Sequence, residues 1–200
     1  MIVFDVTCTR GVAGVGGLST AWRAGAALYG ALGRIDCSFG ATSWSEALDW
    51  VATHESIEEV QYWGHGKWGG ALVDRDWLDG SALVKGHPLR AKLEAVRERL
   101  APDALVWFRT CETFGAAAGH AFASGLADLL GARVAGHTFV IGGLQSGLHG
   151  LRPGHTPTWS TEEGIAEGTA QKPIRAFGSA WSRPNTVLFL TGQVPQAWFG

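Results

Sequence analysis

Three cysteines, one methionine and two tyrosines are all that this 200-residue chain carries of those residues. Cys8, Cys37 and Cys111 are odd in number, widely spaced and free of any Cys-x-x-Cys pair. That excludes a disulfide framework and a zinc knuckle, and it suits a reducing compartment. Charge is scarce as well: 16 basic and 18 acidic residues make up 17% of the chain and leave a formal charge of -2. Such a balance gives no global attraction to nucleic acid or to an anionic membrane, so neither is expected as a partner. No apolar run approaches the roughly eighteen residues that cross a bilayer, and Met1 leads straight into Ile2, Val3 and Phe4 without a basic leader or cleavable apolar segment. A cytoplasmic protein is the expectation. A hydrophobic share of 46% excludes the composition of a disordered chain, and the length suits one domain over 1–200.

Glycine and tryptophan are plentiful, at 29 and 10 residues. The glycines cluster at Gly11 to Gly17, Gly64 to Gly70 and Gly142 to Gly154, where loops are expected. The tryptophans are scattered and read as core and groove area.

Strand-like and helix-like runs alternate, which predicts an α/β fold with a central sheet between helices. Ile2 to Thr7 reads as the first strand, and Trp22, Ala26, Tyr29 and Leu32 recur at helical spacing. Ile35 to Phe39 reads as the second strand. Ser43 and Glu46 form a capping box before a helix that ends near His54. Val60 to Trp63 is a short third strand, followed by a glycine-rich hairpin or loop. Pro88 opens a helix with Leu89, Leu93, Val96 and Leu100 on one face. Ala104 to Phe108 is the fourth strand, Gly115 and Gly131 bracket an alanine-rich helix, and Arg133 to Ile141 is the fifth strand. About 142–185 shows little periodicity and is expected to be a long functional or mobile loop. Thr186 to Thr191 closes the sheet as its sixth strand.

Ligands of such sheets gather at the carboxyl ends of the strands. His65 follows Val60 to Gly64, and Cys111 follows Ala104 to Thr110; one helix joins the two strands, which predicts parallel neighbours. The helix beginning near Ala116 supplies partial positive charge that favours the thiolate of Cys111, which suits a nucleophile, and an imidazole across the cleft can carry its protons. The backbone amides of Gly66 and Cys111 are candidate oxyanion donors.

These residues resemble those of the caspase-like cysteine peptidases, in which an apolar strand ends in His-Gly and a later one ends in the nucleophilic Cys. Tyr62-Trp63-Gly64-His65-Gly66 and Leu105-Val106-Trp107-Phe108-Arg109-Thr110-Cys111 match in order and type. Their His-to-Cys interval of 46 residues is near the roughly 50 noted for caspases. Cys111-Glu112-Thr113-Phe114-Gly115, then Gly119 to Ala123 and Gly131 to Ala135, look similar to the caspase-like domains of large bacterial surface proteins and toxins. The likeness spans about 56–142. It implies a three-layer sandwich around a mostly parallel six-stranded sheet, and cysteine endopeptidase activity on a protein or peptide through a His65–Cys111 dyad without a cofactor. Thr110 departs from the Ala or Gly common before the nucleophile, and the Gln-Ala-Cys-x-Gly pentapeptide is absent. The resemblance leaves open a catalytically inactive peptide-binding adaptor, another Cys-dependent amidase or acyl transferase, and a homodimer paired through a sheet edge.

For selectivity the group uses loops at the sheet's end. Asp74, Glu112, Arg152 and Arg175 are candidate charged pocket residues, and Trp68, Trp159 and Trp181 candidate apolar ones. Cys8 and Cys37 fall within expected strands and read as inert, since a free cysteine is most often a small buried hydrophobe. The Gly11 to Gly17 cluster lacks the third glycine and the well-placed acid of a dinucleotide fingerprint, and reads as a loop near the cleft. His54, His87, His120, His137, His149 and His155 show no metal-binding spacing, and His120 reads as a packing or capping residue.

Overall fold

The computed structural model describes residues 1–9 and 17–199. Its centre is a six-stranded sheet. Five strands are parallel to their neighbours: β1 (Ile2–Asp5), β2 (Ser38–Ala41), β3 (Ile57–Trp63), β7 (Leu100–Arg109) and β8 (Arg133–His137). The sixth, β10 (Leu148–Leu151), runs antiparallel to β8, giving the order β10-β8-β7-β3-β1-β2. Between β3 and β7 the chain folds a small antiparallel sheet of β4 (His65–Lys67), β5 (Gly70–Val73) and β6 (Asp76–Asp79).

Alternation along the strands produces the layers, because successive side chains leave a strand on opposite faces. Val3, Val60, Tyr62, Val106 and Phe108 point to one face, where they share a core with α2 (Trp44–Val51), α3 (Pro88–Arg97) and α4 (Ala116–Leu130). Ile2, Phe4 and Trp63 point to the other, against Ala26 and Tyr29 of α1 (Leu18–Ala31). Further along that second face, Leu105 and Trp107 are covered by Val187 and Val194 of the C-terminal segment. Helices on both faces of a mostly parallel sheet make an α/β sandwich of three layers.

Local signals explain the element ends. Ser43 Oγ accepts from the Glu46 amide at 3.1 Å, so half of the expected capping box forms. The other half does not, because the Glu46 carboxylate turns to the Thr42 amide and hydroxyl at 2.8 and 2.7 Å. Those bonds hold its pKa below the ordinary value. Pro88 opens α3, and Gly131 closes α4 at φ 60°.

Four expectations need correction. Leu100, expected on the face of the helix that Pro88 opens, instead begins β7, because α3 ends at Arg97 and Leu100 pairs with Ile57. The second strand begins at Ser38 instead of Ile35, because the register with β1 pairs Ile2 with Ser38. The fifth strand stops at His137. The sixth strand of the sheet lies inside the segment expected to be a loop, and Thr186 to Thr191 contributes only the two-residue β13 (Val187–Leu188), which pairs with β9 (Leu144–Gln145) outside the central sheet. The same segment carries a hairpin of β11 (Ile165–Gly168) and β12 (Pro173–Ala176). Among the described residues no helix is long and apolar enough to cross a membrane. Most of the Gly11 to Gly17 cluster lies outside the described residues.

Candidate active site

Strands β3 and β7 lie side by side, with Trp63 opposite Arg109 in the register. Each chain therefore leaves the sheet at the same level and at the same, carboxyl, end. His65 comes two residues after β3, Cys111 two residues after β7, and both line one cleft of about 350 Å³. Trp22, Trp63, Phe189 and Ile141 form its mostly apolar walls, and Arg109 is reached from inside it.

The turn that carries Cys111 is fixed by backbone contacts. After β8 the chain continues beside it, so that the Glu112 amide donates to Phe139 O at 3.2 Å and the Phe114 amide to His137 O at 3.0 Å. The Ile141 amide donates to Cys111 Sγ at 3.4 Å, and the thiol faces the carbonyl of the same residue at 3.9 Å. In this turn and just after it two non-glycine residues, Glu112 and Ala116, lie in the left-handed region at φ 57° and 63°. Each such residue costs of order 1 kcal/mol or more, a strain typical of functional turns.

Thr110 fits this turn. It is fully buried, and its hydroxyl meets that of Thr113 at 2.5 Å. Thr113 in turn donates to Gly70 O and Cys111 O, both at 3.3 Å, tying the turn to β5. Gly66 packs directly beneath. A Cβ there would stand 2.2 Å from Thr113 Oγ1 and 2.8 Å from Cys111 O, so the residue after His65 has to be glycine for the two strand ends to meet.

Burial holds the Cys111 thiol above its ordinary pKa; the Ile141 amide opposes this and the neighbouring Glu112 adds to it. At rest Cys111 is therefore a neutral thiol that needs a base, and the expectation that the helix start favours its thiolate is corrected, because burial outweighs it. Glu112 is itself buried, with Oε2 unpartnered among the described residues. Burial raises its pKa, against the pull of Lys67.

His65 is held differently. The ring of Trp22 on α1 meets it edge-on, with centroids 5.3 Å apart. Its Nε2 lies 3.3 Å from the sulfur of Cys8. Cys8 sits beyond the end of β1 rather than within a strand, and its carbonyl accepts from the Ser19 amide in the first turn of α1. The expected placement of Cys8 within a strand is thereby corrected. Cys37 also lies outside a strand, just before β2, with its sulfur 3.6 Å from His54 Nε2.

Arg109, which lines the cleft and was not among the residues expected there, is 4% exposed. Its guanidinium donates to Gln145 Oε1, Tyr29 Oη, Gln61 Oε1 and the Phe189 carbonyl, all of them neutral acceptors, and stacks on Trp107. Burial lowers its pKa, partly offset by Tyr29 and Glu59. An arginine at the end of the apolar run Leu105 to Phe108 was the available signal, since a buried strand rarely spends a position on a charge without a use for it.

The other candidates lie outside the cleft. Asp74 occupies the turn between β5 and β6 at φ 53°. Trp68 lines a separate shallow depression with Lys67 and Asp79. Trp159 is buried, stacked on Phe114 and His149, with His120 edge-on to it, which agrees with a packing role for His120. Trp181 is 68% exposed. Arg152 and Arg175 pair on the surface with Asp103 and Glu167. Among the described residues no group of three His, Cys, Asp or Glu side chains could hold a metal ion. The chain matches no family model, no curated protein and no solved structure.

Proposed function

We propose that this protein is a cysteine endopeptidase of caspase-like architecture, with Cys111 as nucleophile and His65 as proton carrier. The observation that carries the reading is that both side chains leave the carboxyl ends of adjacent parallel strands into one cleft. His65 takes the thiol proton as the sulfur bonds to the scissile carbonyl carbon, whose oxygen becomes the oxyanion. The amides of Gly66 and Cys111 are the donors for that charge in this scheme. Collapse expels the amine, which leaves with the proton from His65. Water, deprotonated by the same imidazole, then releases the acid from the thioester. No cofactor enters these steps.

Arg109 bears on the substrate. It carries a buried positive charge whose hydrogen-bond partners among the described residues are all neutral, so the cleft accepts an acidic side chain better than a basic one. The test is a mixed peptide pool incubated with wild type, Cys111→Ala and His65→Ala, read by mass spectrometry. The expected result is cleavage by wild type, preferentially beside Asp or Glu, and loss of about a hundredfold or more in both variants with unchanged circular dichroism. Cleavage that persists in Cys111→Ala contradicts the proposal. A pool left intact by wild type favours the peptide-binding adaptor.

A further inference from the structure

The imidazole of His65 has two thiols to serve, and at rest it is engaged by the one not assigned to the chemistry. Its Nε2 is 3.3 Å from Cys8 Sγ, whereas among the described residues both hydrogen-bond contacts of Cys111 Sγ are to the backbone of Ile141. Cys8 is not free to drift away from this position. Its carbonyl accepts from Ser19 at the start of α1, and Gly17 presses against it so closely that a Cβ there would stand 2.0 Å from the Cys8 oxygen. Trp22, one turn along the same helix, meets the other partner of the contact, the His65 ring. The start of α1 thus places a sulfur and an indole on one imidazole, and both contacts draw His65 toward the β1 side of the cleft.

We infer that Cys8 is a positioning residue that restrains His65 in the resting state by occupying the nitrogen that has to receive the Cys111 proton. This rests on the proposed dyad and goes beyond it, since it assigns a role to a residue outside the cleft lining and predicts a gain of function. Where the Cys8 thiol donates to Nε2, the ring hydrogen sits on Nδ1 and neither nitrogen is left as a base, so Cys111 draws on His65 only in the fraction of molecules in which that contact is open. Substrate binding, or loss of the Cys8 sulfur, releases the nitrogen. Serine keeps a hydroxyl able to occupy Nε2, whereas alanine leaves nothing there.

The test measures iodoacetamide alkylation cysteine by cysteine, by peptide mapping, in native wild type, Cys8→Ala, Cys8→Ser, His65→Ala and Cys8→Ala/His65→Ala. In the expected result Cys8→Ala speeds alkylation of Cys111 about three- to tenfold, the size of releasing one ordinary hydrogen bond. Cys8→Ser stays within about twofold of wild type, and the double variant loses the acceleration. Unchanged or slower Cys111 alkylation in Cys8→Ala, with Cys37 alkylated at the wild-type rate as a check on folding, overturns the restraint. Failure of the dyad reads differently: Cys111 then reacts equally in wild type and His65→Ala, whatever residue stands at position 8.

Discussion

The two walls of the cleft are built by different means. The Cys111 wall is held by main-chain hydrogen bonds to the chain after β8, by a buried threonine pair and by a glycine with no room for a methyl group. The backbone of His65 pairs through β4 with β5, but its imidazole rests on side chains, the sulfur of Cys8 and the ring of Trp22. A thiol fixed by backbone cannot be moved without disturbing the fold, while an imidazole held by side-chain contacts can be released one contact at a time. Substitutions on the first wall should therefore cost stability, and those on the second should change reactivity at little cost in stability.

The largest expected effect tests the first half of that contrast. Gly66→Ala puts a methyl group 2.2 Å from Thr113 Oγ1 and 2.8 Å from the Cys111 carbonyl, and backbone cannot give way as a flexible side chain would. A loss of about 3 kcal/mol in urea unfolding is expected from such overpacking. The Cys8 variants are the matching probe of the other wall, and their unfolding midpoints should correspond to changes under about 1 kcal/mol. If Gly66→Ala unfolds like wild type, the Cys111 wall is not locked as described.

A smaller effect concerns pH. His137, whose carbonyl supports the Cys111 turn, is fully buried and donates through Nδ1 to Ser146 O at 3.1 Å; burial pushes its pKa down to about 3. The unfolded chain takes up a proton near the usual 6.5 and the folded one does not, so this group makes the fold less stable as pH drops from about 6.5 toward about 3. The slope is at most about 1.4 kcal/mol per pH unit. His137→Gln, which keeps a donor, should flatten the fall in stability between pH 6.5 and 4 in parallel urea titrations. An identical slope in both proteins would show that His137 already titrates in the folded state.

The parts of this design legible in the sequence were those with a local or periodic cause. Apolar runs ending in Gly-His-Gly and Arg-Thr-Cys located the ends of β3 and β7, and the helix between them predicted their parallel adjacency. The edge strand β10 was not legible, because Leu148-His149-Gly150-Leu151 is too short for a period and contains a glycine; pairing with β8 makes it a strand. The surroundings of Cys8 were not legible for a similar reason. Its contact with His65 joins residues 57 positions apart through the start of α1, and nothing in the sequence around it announces that. Trp68, Trp159 and Trp181 drew notice as large apolar residues, but size alone does not tell a cleft wall from a core or a surface.

The central claim is that the Cys111 thiol, kept neutral by burial, depends on the His65 imidazole for its reactivity. The most direct measurement is the rate of Cys111 alkylation in the native protein against pH, in wild type and His65→Ala. The account predicts that wild type reacts well below the pH at which an unaided buried thiol ionises, and that His65→Ala reacts only as pH rises above the ordinary thiol range. Superimposable pH profiles for the two proteins would contradict it.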